Sequence, residues 1–67
     1  MIAVVVNGKR ETVGPGTSIG GYLAQKKIDP AIAVVEVNGS IVKREDFDKT
    51  VLKGSDTIEV LRFVGGG

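Results

Sequence analysis

Ile2-Ala3-Val4-Val5-Val6-Asn7-Gly8-Lys9-Arg10-Glu11-Thr12-Val13 reads as a β-hairpin, and the fold class follows from what comes after it. The β-branched run Ile2–Val6 favours a pleated strand. Asn7-Gly8 is the strongest short hairpin signal, because a type I′ turn needs positive φ at both central residues. Lys9 to Val13 returns as a more polar strand. Such a strand suits a sheet edge, where charge deters pairing with other chains.

Gly14-Pro15-Gly16 closes the hairpin, and Thr17 stands where a hydroxyl caps a helix N-terminus. The spacing predicts a helix over Ser18 to Lys27, with Ile19, Tyr22 and Leu23 as its apolar stripe. Lys26 and Lys27 fall in its last turn and complement the helix dipole. Gly20-Gly21 costs about 1 kcal/mol per glycine against alanine. Tertiary packing must therefore hold this helix, or the glycines permit close approach to the sheet. Asp29-Pro30 stops the helix, since a residue before proline avoids the helical region.

Ile32 to Val37 is the next strand and Asn38-Gly39 a second turn. Ile41-Val42 is a short strand. Lys43-Arg44-Glu45-Asp46-Phe47 reads as one helical turn anchored by Phe47. Val51-Leu52 is apolar again, and Lys53-Gly54-Ser55-Asp56 turns into a last strand, Ile58 to Val64. A hairpin, a helix crossing one face, and further strands make an α+β domain with a mixed sheet of four to five strands and one main helix. Residues 1–64 form the domain, and Gly65, Gly66 and Gly67 a flexible tail.

If Ile58 and Val60 face the helix, alternation puts Glu59, Leu61 and Phe63 on the outer face. Val5 and Val34 also lie off the core face. Leu61 and Phe63, with Val64, Val5 and Val34, form the candidate partner-binding surface beside the tail.

With 67 residues there is one small domain, which buries only roughly 60% of its unfolded surface. Net charge is +1 and the charges are interspersed. No basic face is visible and the aromatics are limited to Tyr22, Phe47 and Phe63, so nucleic-acid binding is not indicated. Cysteine and histidine are absent, which excludes disulfides, Cys/His metal sites and catalysis by either residue. No apolar run nears the roughly 20 residues of a membrane span. Ile2–Val6 is too short for a signal peptide, which leaves the cytoplasm as the expected location.

The carboxylates do not pair as acid and base: Glu45, Asp46 and Asp48 lie among Lys43, Arg44 and Lys49 as a solvated face, so no enzyme site is expected. Gly14-Pro15-Gly16-Thr17 lacks the lysine and spacing of a phosphate-binding loop. The carboxylate of Gly67 is the remaining chemical handle. With a pKa near 3.5 it is ionised and a poor acyl donor. Activation by ATP to an acyl adenylate changes that, and a sulfur species or an amine then takes the acyl group. A chain without cysteine cannot carry sulfur as a cysteine persulfide, which leaves the terminus for that role.

Several stretches together resemble the ThiS-type sulfur carriers of thiamine thiazole biosynthesis. They are the first strand with Asn7-Gly8, Thr17 opening the helix, Val35-Glu36-Val37-Asn38-Gly39, Ile41-Val42-Lys43-Arg44-Glu45-Asp46-Phe47 and Gly54-Ser55-Asp56-Thr57-Ile58-Glu59-Val60. The closing Arg62-Phe63-Val64-Gly65-Gly66-Gly67, together with the length, is the most specific. Gly20-Gly21 departs from the family, which has larger residues there. The resemblance implies a β-grasp, ubiquitin-like fold with the first and last strands parallel at the sheet centre. It implies that a ThiF-like adenylating enzyme uses ATP on Gly67, with no cofactor or metal bound to this chain. A cysteine desulfurase route then gives a Gly67 thiocarboxylate, and thiazole synthase takes the sulfur. The small subunit of molybdopterin synthase is the nearest alternative. It often carries prolines before its glycine pair, which Arg62-Phe63-Val64 lacks. A ubiquitin-like tag joined to lysines and an interaction module with an inert tail are further alternatives.

Overall fold

The structure is a computed structural model and describes residues 1–63. Strands β1 (Ile2–Val6) and β2 (Lys9–Val13) form the expected hairpin. Helix α1 (Ile19–Gln25) follows, then a 3₁₀ turn (Pro30–Ile32), β3 (Ala33–Val37), β4 (Ser40–Val42), a second 3₁₀ turn (Arg44–Asp46) and β5 (Thr57–Arg62). The strand order is β2-β1-β5-β3-β4. β5 is therefore central, parallel to β1 and antiparallel to β3, as the resemblance implies. The edges are the charged β2 and the three-residue β4, both poor templates for another chain. No helix among the described residues is long and apolar enough to cross a membrane.

Both Asn-Gly turns take the left-handed geometry expected of them: Asn7 has φ 50° and Gly8 81°, Asn38 52° and Gly39 85°. Their side chains do more than turn the chain. β1 pairs with β5 only as far as Ile58. The Asn7 carboxamide takes the next pair of backbone groups, accepting from Val60 N at 2.8 Å and donating to Val60 O at 3.2 Å. On the opposite edge Asn38 N donates to Thr57 O (2.7 Å), and its side-chain oxygen accepts from Thr57 N (2.9 Å). Each turn thus grips the central strand from one side.

The helix differs from expectation at both ends. Ser18, not Thr17, is the N-cap, its hydroxyl accepting from Gly21 N at 3.0 Å. Thr17 instead donates its hydroxyl to Gly14 O at 2.7 Å. A bridge between Ser18 and Val51, with Ile19 N donating to Thr50 O, keeps the chain extended until residue 18. At the other end Lys27 is left-handed (φ 58°). Lys27 N bonds Ala24 O and Ile28 N bonds Leu23 O, the paired bonds of a Schellman stop. Lys26 and Lys27 consequently lie beyond the last helical turn. Asp29-Pro30 does not stop the helix; Asp29 caps the following 3₁₀ turn by accepting from Ala31 N. That turn takes up Ile32, so β3 starts at Ala33.

Ile19, Tyr22 and Leu23 are buried as the stripe predicts, against Val4, Val35, Phe47, Leu52, Ile58 and Val60 among others. Each fully buried aliphatic side chain contributes roughly 1.5–3 kcal/mol. Gly20 does allow a close approach, but to the segment after the second 3₁₀ turn rather than to the sheet. Gly20 N donates to Phe47 O at 3.0 Å, and a Cβ there would run into the Asp48 carboxylate. A Cβ on Gly21 would meet only ordinary contacts, and nothing in the packing explains that glycine.

Asn7→Gly keeps the left-handed turn and removes only the side-chain grip on Val60. It should lower unfolding free energy by about 1–3 kcal/mol, since Val60 loses partners for both its backbone groups. Urea denaturation reads this directly, and an unchanged midpoint with unchanged slope would mean the grip contributes nothing.

Candidate functional site

Strand β5 carries the residues that lead to the glycines, so its two faces define what surrounds the tail's root. Alternation along β5 buries Ile58 and Val60 under the helix and turns Glu59 and Leu61 outward. Leu61 is 57% exposed and Phe63, just past the strand, 65%. Val34 lies directly opposite Leu61, half-buried. Val5 stands opposite Thr57, four residues up β5 and so about 13 Å from Leu61. The predicted surface residues therefore split: Leu61, Phe63 and Val34 come together, and Val5 does not join them. Val64, Gly65, Gly66 and Gly67 lie outside the described residues.

Two exposed isoleucines enlarge the patch. Ile32 O accepts from Phe63 N at 2.9 Å, so Ile32 sits beside the end of the strand. Ile41 is 69% exposed and stands opposite Glu36, which in turn stands opposite Glu59. Counting out from the two-residue turn Asn38-Gly39 would have paired residues 36 and 41 and placed Ile41 on this face.

The opposite face holds a second feature that sequence reading missed. A groove of about 320 Å³ opens where the short helix ends. Its floor is Val6, Val60, Tyr22 and Ile28, and Lys9, Lys26 and Arg62 stand around it with Glu11. Tyr22 donates its hydroxyl to Glu11 Oε1 at 2.9 Å, and Lys26 Nζ approaches the same oxygen at 3.2 Å. Lys26 Nζ also lies 5.7 Å from the centre of the Tyr22 ring. Burial, then the hydrogen bond to Glu11 and the charge of that carboxylate, push the Tyr22 phenol up to about 12. Among the described residues no group of three or more His, Cys, Asp or Glu gathers as metal ligands.

Comparison with known proteins places this geometry in context. The model of the ThiS family matches residues 2–67. The sulfur carrier protein ThiS of Bacillus subtilis is 37% identical over 62 residues, 92% of this chain and 88% of that protein. A thiazole synthase of Magnetococcus marinus is 36% identical over 62 residues, also 92% of this chain; the chain spans only 19% of that longer protein. A crystal structure of the thiamine biosynthesis protein ThiS from Geobacter metallireducens superposes with a TM-score of 0.83 at 36% identity, covering 98% of this chain and all of that one. The solution structure of a thiamine biosynthesis protein from the same organism gives 0.81, covering 98% of this chain and 88% of that one.

Tyr22 is the only tyrosine and there is no tryptophan, so phenolate absorbance reports this residue alone. Its folded pKa lies above the ordinary 10.0. The stability held by its proton is thus fully present below pH 10 and is lost as pH rises toward 12. Titration of the folded protein should show a midpoint near 12, and Tyr22→Phe should remove this group's share of the alkaline destabilisation. A midpoint of 10 in the folded state would contradict the Tyr22–Glu11 geometry.

Proposed function

The chain belongs to the ThiS family, and from that membership we propose that it carries sulfur for thiamine biosynthesis on its Gly67 carboxylate. The observation that carries the reading is that the family match runs to residue 67 and so includes Gly65-Gly66-Gly67. In this reading the carboxylate attacks ATP on a ThiF-like adenylating enzyme and releases pyrophosphate. A persulfide formed through a cysteine desulfurase then attacks the acyl carbon and AMP departs. A second thiol cleaves the S–S bond of the resulting acyl disulfide and is itself left in a disulfide with the persulfide's former carrier. Gly67 is left as a thiocarboxylate that passes its sulfur to thiazole synthase. A segment like this chain within a polypeptide named thiazole synthase supports that acceptor over molybdopterin synthase. The chain is the carrier and its partners are the catalysts; ATP is consumed on the partner, in the cytoplasm.

The exposed Leu61 and Phe63, with Val34 beside them, are the surface through which the partners hold the body while the tail is processed. An exposed apolar patch of this kind marks a partner surface more often than a solvent face. The preceding structural residues keep the tail's root at a fixed place on that surface, since β5 is hydrogen-bonded on both sides.

Intact mass of the protein co-expressed with its adenylating enzyme and sulfur source should show one oxygen-for-sulfur exchange at the C-terminus. A variant extended by one residue beyond Gly67 should show none. Absence of exchange in the unextended protein would reject the carrier reading, and lysine-linked conjugates would identify a tag instead. Leu61→Asp and Phe63→Asp should leave the circular dichroism unchanged and weaken partner binding about tenfold each, the effect of losing roughly 1.4 kcal/mol at a buried anchor. Unchanged affinity in both would remove the outer face from the docking surface.

A further inference from the structure

Core-face positions on a sheet covered by a helix are normally apolar. Here two of them carry cations. Lys9 pairs with Val6 and shares its side of the sheet, and Arg62 shares the side of Ile58 and Val60. The reason is the length of α1. It stops at Gln25, and the Schellman turn at Lys27 leads the chain away. The ends of β1 and β5 are left without a helical cover. Consistent with this, Val60 at 8% and Val6 at 6% are the two most exposed members of the core. The result is an apolar floor rimmed by Lys9, Lys26 and Arg62.

The charge on this rim is not balanced from within. Glu11 is the one carboxylate among the described lining residues, and it is already engaged by Lys26 and Tyr22. Three cations against one anion leave the groove with a net positive charge, whereas on the outer face of the sheet Glu59 of β5 stands opposite Glu36 of β3. The two faces of β5 therefore differ in sign as well as in shape. Arg62 immediately precedes Phe63, so whatever the groove holds sits at the root of the tail.

We propose that this groove receives a carboxylate-bearing segment of the adenylating enzyme, with an Asp or Glu of that enzyme between Lys9 and Arg62 and an apolar neighbour against Val60. The proposal rests on the carrier reading, because it takes the enzyme that processes the tail as the occupant. A groove of about 320 Å³ holds one or two side chains and not a longer element. An open apolar floor favours a peptide segment over a free inorganic anion. Rim charges of this kind act mainly on encounter rate and on the salt dependence of binding. The groove would thereby fix the rotation of the body about its tail, while the outer face supplies the apolar contact.

The test is affinity for the adenylating enzyme encoded in the same genome, measured with the full chain at several salt concentrations. Lys9→Gln and Arg62→Gln should each weaken binding about three- to tenfold, and the double variant should lose most of the salt dependence. Lys9→Arg should retain wild-type affinity. Lys26 is left intact, since it supports Glu11. Thermal unfolding of each variant checks that the fold is kept. A double variant that binds as tightly as wild type, with the same salt dependence, overturns the groove proposal. If Leu61→Asp still weakens binding in that case, the carrier reading survives without the groove. A wild-type chain that neither binds the enzyme nor acquires sulfur at Gly67 overturns both.

Discussion

The central strand is held by carboxamides as well as by a ladder. β5 pairs with β1 over only two positions, Val5 with Thr57 and Val6 with Ile58, which is short for a strand in the middle of a sheet. Asn7 extends that edge by binding both backbone groups of Val60, 53 positions away. From the other edge Asn38 donates its backbone N–H to Thr57 O, accepts from Thr57 N with its side-chain oxygen, and donates its side-chain NH2 to Asp56 Oδ1. A side-chain amide can imitate a backbone peptide because it carries one acceptor and a donor at similar spacing. Asparagine also tolerates the left-handed conformation that each turn requires. One residue type thus serves two needs at each site, and the path of β5 toward the tail depends on both.

Because that strand is fixed on both edges, its two faces have definite roles. Alternation sends Ile58 and Val60 into the core and Leu61 to solvent. The same alternation sends Arg62 to the helix side, past the point where the helix can cover it. An apolar patch and a cationic groove therefore flank the same few residues. Neither would be where it is if the strand slipped by one position, since a one-residue shift exchanges the faces.

The parts of the fold set by local chemistry were legible in the sequence. Both hairpins follow from Asn-Gly between β-branched runs, and Phe47 follows as an anchor of a single turn. The outward phase of Leu61 and Phe63 follows from period-2 alternation alone. The helix ends were not legible, because distant contacts set them. Ser18 stays extended through its bridge to Val51, and the helix stops where Ile28 N returns to Leu23 O. A left-handed lysine at position 27 gives no signal that a glycine would have given. The groove was missed for a related reason. Lys9 and Arg62 look like ordinary surface charges until the strand register and the short helix place them on the core side. The sequence leaves Gly20-Gly21 between two readings, a helix held by tertiary packing or a close approach to the sheet. The structure brings Gly20 alone close to a neighbour, and that neighbour is Phe47 and Asp48 and not a strand.

The position of β5 in the sheet has a consequence for biosynthesis. The β1–β2 and β3–β4 hairpins are each local, and they have no pairing with one another except through β5. During translation they emerge as two halves, and the strand that joins them follows both. Closing the sheet is therefore a late, non-local event of the kind that slows folding. The nascent chain has no finished sheet until Thr57–Arg62 is free, so neither hairpin gains its central partner before that strand is made.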